Sequence, residues 1–234
     1  MKHLSTCAIA LPLLLAQPVV AQTKHFLLEE ITIDSAQRQP FEGAQHDYCE
    51  AVVRGGAPAC IVLAPTTFSR YDLYFALLPF QSFSHYDEGT YTSKGLTPTQ
   101  AKQLSARREP TIRHNEESGF AELYVAGETL HGDATVLEIT DLRIRPGYTP
   151  EVLKVLETRQ GNARGIAVYQ TIAGGDTNRL LVMRFLSRFA EMDHLAPLSP
   201  TDSTGKSSLL WKQAVISATT TLMKKRDDLS ALPH

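Results

Sequence analysis

The chain is poor in most of the residues that announce chemistry. It has 3 cysteines, 1 tryptophan and 4 methionines in 234 residues. Cys7 lies in the N-terminal apolar stretch, which leaves Cys49 and Cys60. Two thiols alone cannot complete a structural zinc site, and their spacing is not that of a redox-active CxxC pair. There is no HExxH, no paired-histidine helix and no facial triad, so no metal is expected. Ser82 and Ser187 lack the GxSxG elbow, and "AGG" (173–175) falls in a strand–strand turn rather than ahead of a helix. Hydrolase and nucleotide-enzyme readings therefore lose support, and no cofactor is expected. An excess of one charge is missing too. The formal net charge of −2 offers no basic surface for nucleic acid. Beyond the first residues, no apolar run reaches the roughly 20 residues that a membrane-spanning helix needs.

What is present begins with "MKHLSTCAIALPLLLAQPVVAQ". A charged start at Lys2, a short apolar centre and small residues before Gln22 read as a secretory signal peptide, residues 1–21, cleaved after Ala21. The mature protein is expected to be exported, periplasmic or secreted. In such an oxidising compartment Cys49 and Cys60 are expected to form a disulfide. The alternative is a pair of buried thiols in a helix–strand interface.

Two stretches share one shape. "LYFALLPFQSFSHYDE" (73–88) and "RLLVMRFLSRFAEMDH" (179–194) each run from an apolar strand through a Phe and a polar break into a short acidic segment. The elements around them repeat as well. In the first half, "KHFLLEEITID" alternates as a strand, "FEGAQHDYCEAVV" has helical spacing, and "ACIVLAP" and "YDLYFALLPF" are strands. "LTPTQAKQLSARRE" is a helix with Thr97 as N-cap and Gln100 closing a capping box, and "FAELYVA" is a strand. In the second half, "ATVLEITDLRIRPG" is a strand and "YTPEVLKVLETRQ" a helix capped by Thr149. "RGIAVYQTIAGG" and "RLLVMRFL" are strands, and "SSLLWKQAVISATTTLMKKR" reads as one long amphipathic helix. One register pairs Phe83 with Phe189 and Asp87 with Asp193; another pairs Phe80 with Phe185 and Ser82 with Ser187.

Each half thus spells the ferredoxin-like βαββαβ unit, with boundaries at 22–130 and 131–234. Such a sheet carries both helices on one face, and "YFALLPF" and "LLVMRF" are apolar on both. The fold class is α+β: two ferredoxin-like units packed sheet to sheet as an internal pseudo-dimer, each covering the other's open face. The expected state is a monomer of this kind, or a weak homodimer.

The tandem order resembles the dimeric α+β barrel superfamily, which includes antibiotic-biosynthesis-monooxygenase-like and NIPSNAP-like domains. "LRIRPGYTPEVLKVLE" is similar to the opening of such domains, and "LLVMRFLSRFAEMDHL" to their strand followed by a short F-x-x-x-D segment. The resemblance covers residues 24–225 in outline and 137–194 best. It implies a fold shared by monooxygenases, isomerases, cyclases, dechlorinating enzymes and proteins of no known activity, and it transfers no catalytic set.

A ligand of such a sandwich would sit between the sheets, reached by polar residues that interrupt the apolar alternation. Arg184, Glu138, Tyr169, Gln170 and Tyr74 do so and are the candidate ligand-binding residues. Arg184 would anchor a carboxylate or phenolate, with Glu138 as acid, base or counter-charge. The plainer reading is a structural ion pair or a snorkelling arginine, and it is preferred. Aromatics from Phe68 to Tyr91 would line a flat pocket or simply pack a core; the core is preferred. Catalytic residues remain unassigned. The sequence favours a small-molecule-binding or interaction module whose partner is a small apolar molecule. The rival is a cofactor-independent monooxygenase or isomerase acting on an aromatic or quinone-like substrate.

Overall fold

A computed structural model of the chain describes residues 25–66, 70–129, 132–200 and 205–233. The proposed leader lies outside these, as does the junction at 130–131 between the two expected units. The strands are β1 (His25–Ile33), β2 (Ile61–Pro65), β3 (Leu73–Phe80), β4 (Ile112–Gly127), β5 (Val136–Ile144), β6 (Gly165–Ala173), β7 (Arg179–Leu186) and β8 (Val215–Lys225). The helices are α1 (Arg38–Arg54), α2 (Tyr91–Gly95), α3 (Pro98–Arg108), α4 (Thr149–Leu156) and α5 (Lys206–Ala214). The fold is α+β, and all strand pairings are antiparallel.

The strands close a barrel in the order β1-β3-β2-β8-β5-β7-β6-β4. Read in halves, this is β4-β1-β3-β2 joined to β8-β5-β7-β6, the same order twice. The two sheets face one another across a shared interior, as the repeat implied. Their edges are stitched as well, β2 to β8 and β4 to β6, so that each half lends the other its missing neighbour. Sheet edges are sites of unwanted pairing, and closure removes them.

Burial explains the two-faced strands. All of β7 and nearly all of β3 are buried. Their inner residues join one apolar cluster drawn from all eight strands, including Phe26, Leu63, Phe75, Phe120, Leu137, Phe185 and Met223. The outer residues pack under helices. Tyr74, Ala76 and Leu78 meet Phe41, Cys49 and Val52 of α1, while Leu180 and Val182 meet Val152 and Leu156 of α4 and Trp211 of α5. A small barrel filled by side chains is a packed core rather than a pore.

The repeat register is now fixed. β3 with its following 3-10 turn (Phe83–Glu88) and β7 with its own (Phe189–His194) match in length and spacing. Phe83 therefore aligns with Phe189 and Asp87 with Asp193. Leu28 faces Leu77 as Ile139 faces Met183.

Two expectations need correction. The long C-terminal helix is only α5; from Val215 the chain is strand β8. "VISATTT" is rich in β-branched residues, which lose side-chain freedom in a helix and suit a pleated surface. Thr149 is not the N-cap of α4: Tyr148 holds that position, and Thr149 and Pro150 are the first helical residues. The Thr97–Gln100 capping box of α3 is present. Cys49 of α1 and Cys60 beside β2 form the expected disulfide, with Cα atoms 5.2 Å apart.

Candidate functional site

The five residues singled out by sequence do not converge. Arg184 and Glu138 are cross-strand partners on β7 and β5, but on the outer, helix-covered face, away from the space between the sheets. The alternation decides this, since Leu181, Met183 and Phe185 are the inner residues of β7. Arg184 is 2% exposed and Glu138 8%. The guanidinium donates through Nε and Nη2 to Glu138 Oε2 and through Nη1 to the Ala196 carbonyl. Burial draws the Arg184 pKa down, and Glu138 opposes that. Both charges are spent on each other.

Tyr74 is also on the outer face. Its hydroxyl donates to Glu42 Oε1 at 2.6 Å, and Glu42 is further held by Arg226 at 2.9 and 3.1 Å and by Arg38 at 3.1 Å. Gln170 donates to the Thr177 carbonyl at 2.8 Å, bracing the β6–β7 hairpin. Tyr169 alone points into the barrel, edge-on to Phe26 with ring centroids 4.7 Å apart. Burial, with Glu122 nearby, pushes its phenol well above the ordinary range. The aromatic run divides likewise: Phe75 is inner, Tyr74, Phe80 and Tyr91 are outer, and Tyr71 and Phe83 are exposed. Phe68 lies outside the described residues.

Sequence reading missed two clusters, and "LLEEITI" held the clue to both. Adjacent glutamates in a strand must take opposite faces. Glu29 faces outward, 1% exposed. It accepts from the Tyr48 hydroxyl and from Arg108 Nη2 at 2.5 Å, and Arg108 Nε donates to Gln45 Oε1 at 2.9 Å. Arg108 also lies over the Tyr48 ring, 4.2 Å from its centroid. This is a second satisfied ion pair under helices.

Glu30 faces inward, at the end of the barrel where β1 and β5 finish. There Arg179 donates through Nη2 to Glu30 Oε1 and through Nε to Asp141 Oδ2 at 2.9 Å. Its guanidinium overlies Phe120 at 5.5 Å, closing the apolar core below. Glu30 faces Phe75 of β3 as Asp141 faces Leu181 of β7. The two acids are thus equivalent positions of the two halves, brought to one arginine. Burial alone would lower the Arg179 pKa, but Glu30 and then Asp141 hold it above its ordinary value.

This floor, unlike the outer pairs, is incompletely satisfied. Asp141 Oδ1 and Thr171 Oγ1 are buried with no hydrogen-bond partner among the described residues. Thr171 is 1% exposed. It pairs with Phe120 and follows Gln170, the partner of Leu180, so it lies beside Arg179 on the inner face. Unsatisfied buried oxygens cost about 1–3 kcal/mol each unless something meets them. On the same face Glu116 and Thr219 are exposed, so the floor meets solvent on their side, while Ser118 is buried and donates to the Gly174 carbonyl of the β6–β7 turn at 3.2 Å. Among the described residues, no group of three or more histidines, cysteines and carboxylates is placed to hold a metal ion.

No family model matches the chain, and no curated protein matches it in sequence. Solved structures do. A candidate monooxygenase from Lactobacillus acidophilus superposes with a TM-score of 0.58 at 8% identity, covering 89% of this chain and 95% of its own. A candidate monooxygenase from Fusobacterium nucleatum gives 0.60 at 9%, covering 86% and 91%. An anthrone oxidase-like protein gives 0.60 at 9%, covering 90% and 94%. At such identities the likeness is one of fold: this chain has the closed α+β barrel architecture of these proteins.

Proposed function

We propose that the protein is an exported small-molecule-binding module whose site is the polar mouth of the barrel. The observation that carries this reading is the floor of Glu30, Arg179 and Asp141 with two buried oxygens left unpartnered. The other buried charges described above are engaged by protein partners. The apolar interior leaves the ligand's anchoring group at the end of the barrel, not between the sheets. Export is supported by the leader-like N-terminus and by a disulfide between two fully buried cysteines. Disulfides persist in oxidising compartments.

The second reading is a cofactor-independent monooxygenase or isomerase, and the candidate monooxygenases among the structural neighbours lend weak support to its first part. It needs an acid or base free to exchange a proton within reach of substrate. Arg184 and Glu138 are paired, and Tyr169 holds its proton, so the binding reading is preferred. Native mass spectrometry of protein purified from the compartment where it works tests the choice. A retained small-molecule mass is expected, and Asp141→Asn should release it. Turnover of an added aromatic or quinone-like substrate, without a retained mass, would overturn the reading.

A further inference from the structure

We infer that the group held at the barrel mouth is an ammonium, so that the ligands are small amines; this rests on the mouth being the binding site. The unpartnered atoms on the floor are oxygens. Asp141 Oδ1 can only accept a hydrogen bond when ionised, and Thr171 Oγ1 can accept one alongside its own donation. Both are buried, and Thr171 is itself 1% exposed. An N–H group can donate to either of them. A carboxylate would have no proton to donate to Asp141 Oδ1 and would face its charge.

The local charge points the same way. Glu116 of β4 lies directly opposite Glu30, within cross-strand reach. Glu30 and Asp141 share the Arg179 guanidinium, while Glu116 is exposed, its carboxylate 3.9 Å from His114. Arg143 of β5 lies directly opposite Arg179 and brings a second positive charge to this face. Three carboxylates against two arginines leave this face an excess of one negative charge, with His114 beside Glu116. Charge of one sign around a concave entrance concentrates ligands of the opposite sign. Below the floor, Phe120 and the apolar interior fix the polar atoms in place.

The test uses the full mature chain, labelled with nitrogen-15, and probes of one shape: n-butylammonium, n-butanol and n-butyrate at neutral pH. Butylammonium should shift the amides of Asp141, Thr171 and Arg179 saturably and bind about tenfold or more tighter than butyrate, the scale of one hydrogen bond to a charged group. Thr171→Val, close to isosteric, and Asp141→Asn should each weaken butylammonium several-fold while the rest of the spectrum keeps its dispersion. Butanol or butyrate binding at these amides as well as butylammonium would overturn the amine class and leave the mouth as the site. If no probe moves these amides, the amine class fails and the mouth reading loses its support as well.

Discussion

Arg184 carries its charge into a layer that water does not reach, and Glu138 makes that tolerable. The pair is a structural device by its geometry, cross-strand and hydrogen-bonded on the outer face. Arg184→Met alone would leave a buried carboxylate without its partner and should cost about 3–5 kcal/mol. The double variant with Glu138→Leu should recover most of that loss, since apolar side chains can replace a buried pair. Urea denaturation of the two variants checks the difference. Glu42 gives a pH signature instead. Burial raises its pKa, but hydrogen bonds from Arg226, Tyr74 and Arg38 outweigh burial and bring it from 4.5 to about 2. A depressed carboxyl pKa stabilises the fold fully above its unfolded value. That contribution should drain as the pH falls from about 4.5 towards about 2. Glu42→Gln should be less stable at neutral pH and show a shallower acid limb in a series of thermal melts.

Elements explain why some of this was readable and some was not. Strands β3 and β7 were legible because a run apolar on both faces has few explanations: buried inner and outer faces fit it at once. The capping box of α3 was legible because its side chains act locally. β8 was not, since "LLWKQAV" has helical spacing and nothing in it marks Ala214 as an end; the sheet neighbour β5 decides. The site failed for a similar reason. Arg184 interrupts an apolar strand just as Arg179 opens one, and only barrel closure tells which faces in. The seam between the halves is a further element-level feature. Gly127 and Gly165 face each other where β4 meets β6, and a Cβ on Gly165 would lie 2.2 Å from the Glu128 carbonyl oxygen. Gly165→Ala should therefore push the seam apart at a cost of about 1–3 kcal/mol. Hydrogen exchange should show lost protection at residues 124–127 before the rest of the barrel.

At the scale of the molecule, two sheets that each needed cover supply it to one another and then join at both edges. The outcome is a solid interior, at one end of which equivalent acids of the two halves share an arginine. The proposed binding site is at that end, and the buried pairs beneath the helices hold the fold together. The most direct measurement is an experimental structure of the protein with a co-purified or added ligand. The ligand's polar group should lie against Asp141 and Thr171, beside Arg179. Ligand lodged under α4 and α5, with the Arg184–Glu138 pair opened to receive it, would contradict the account.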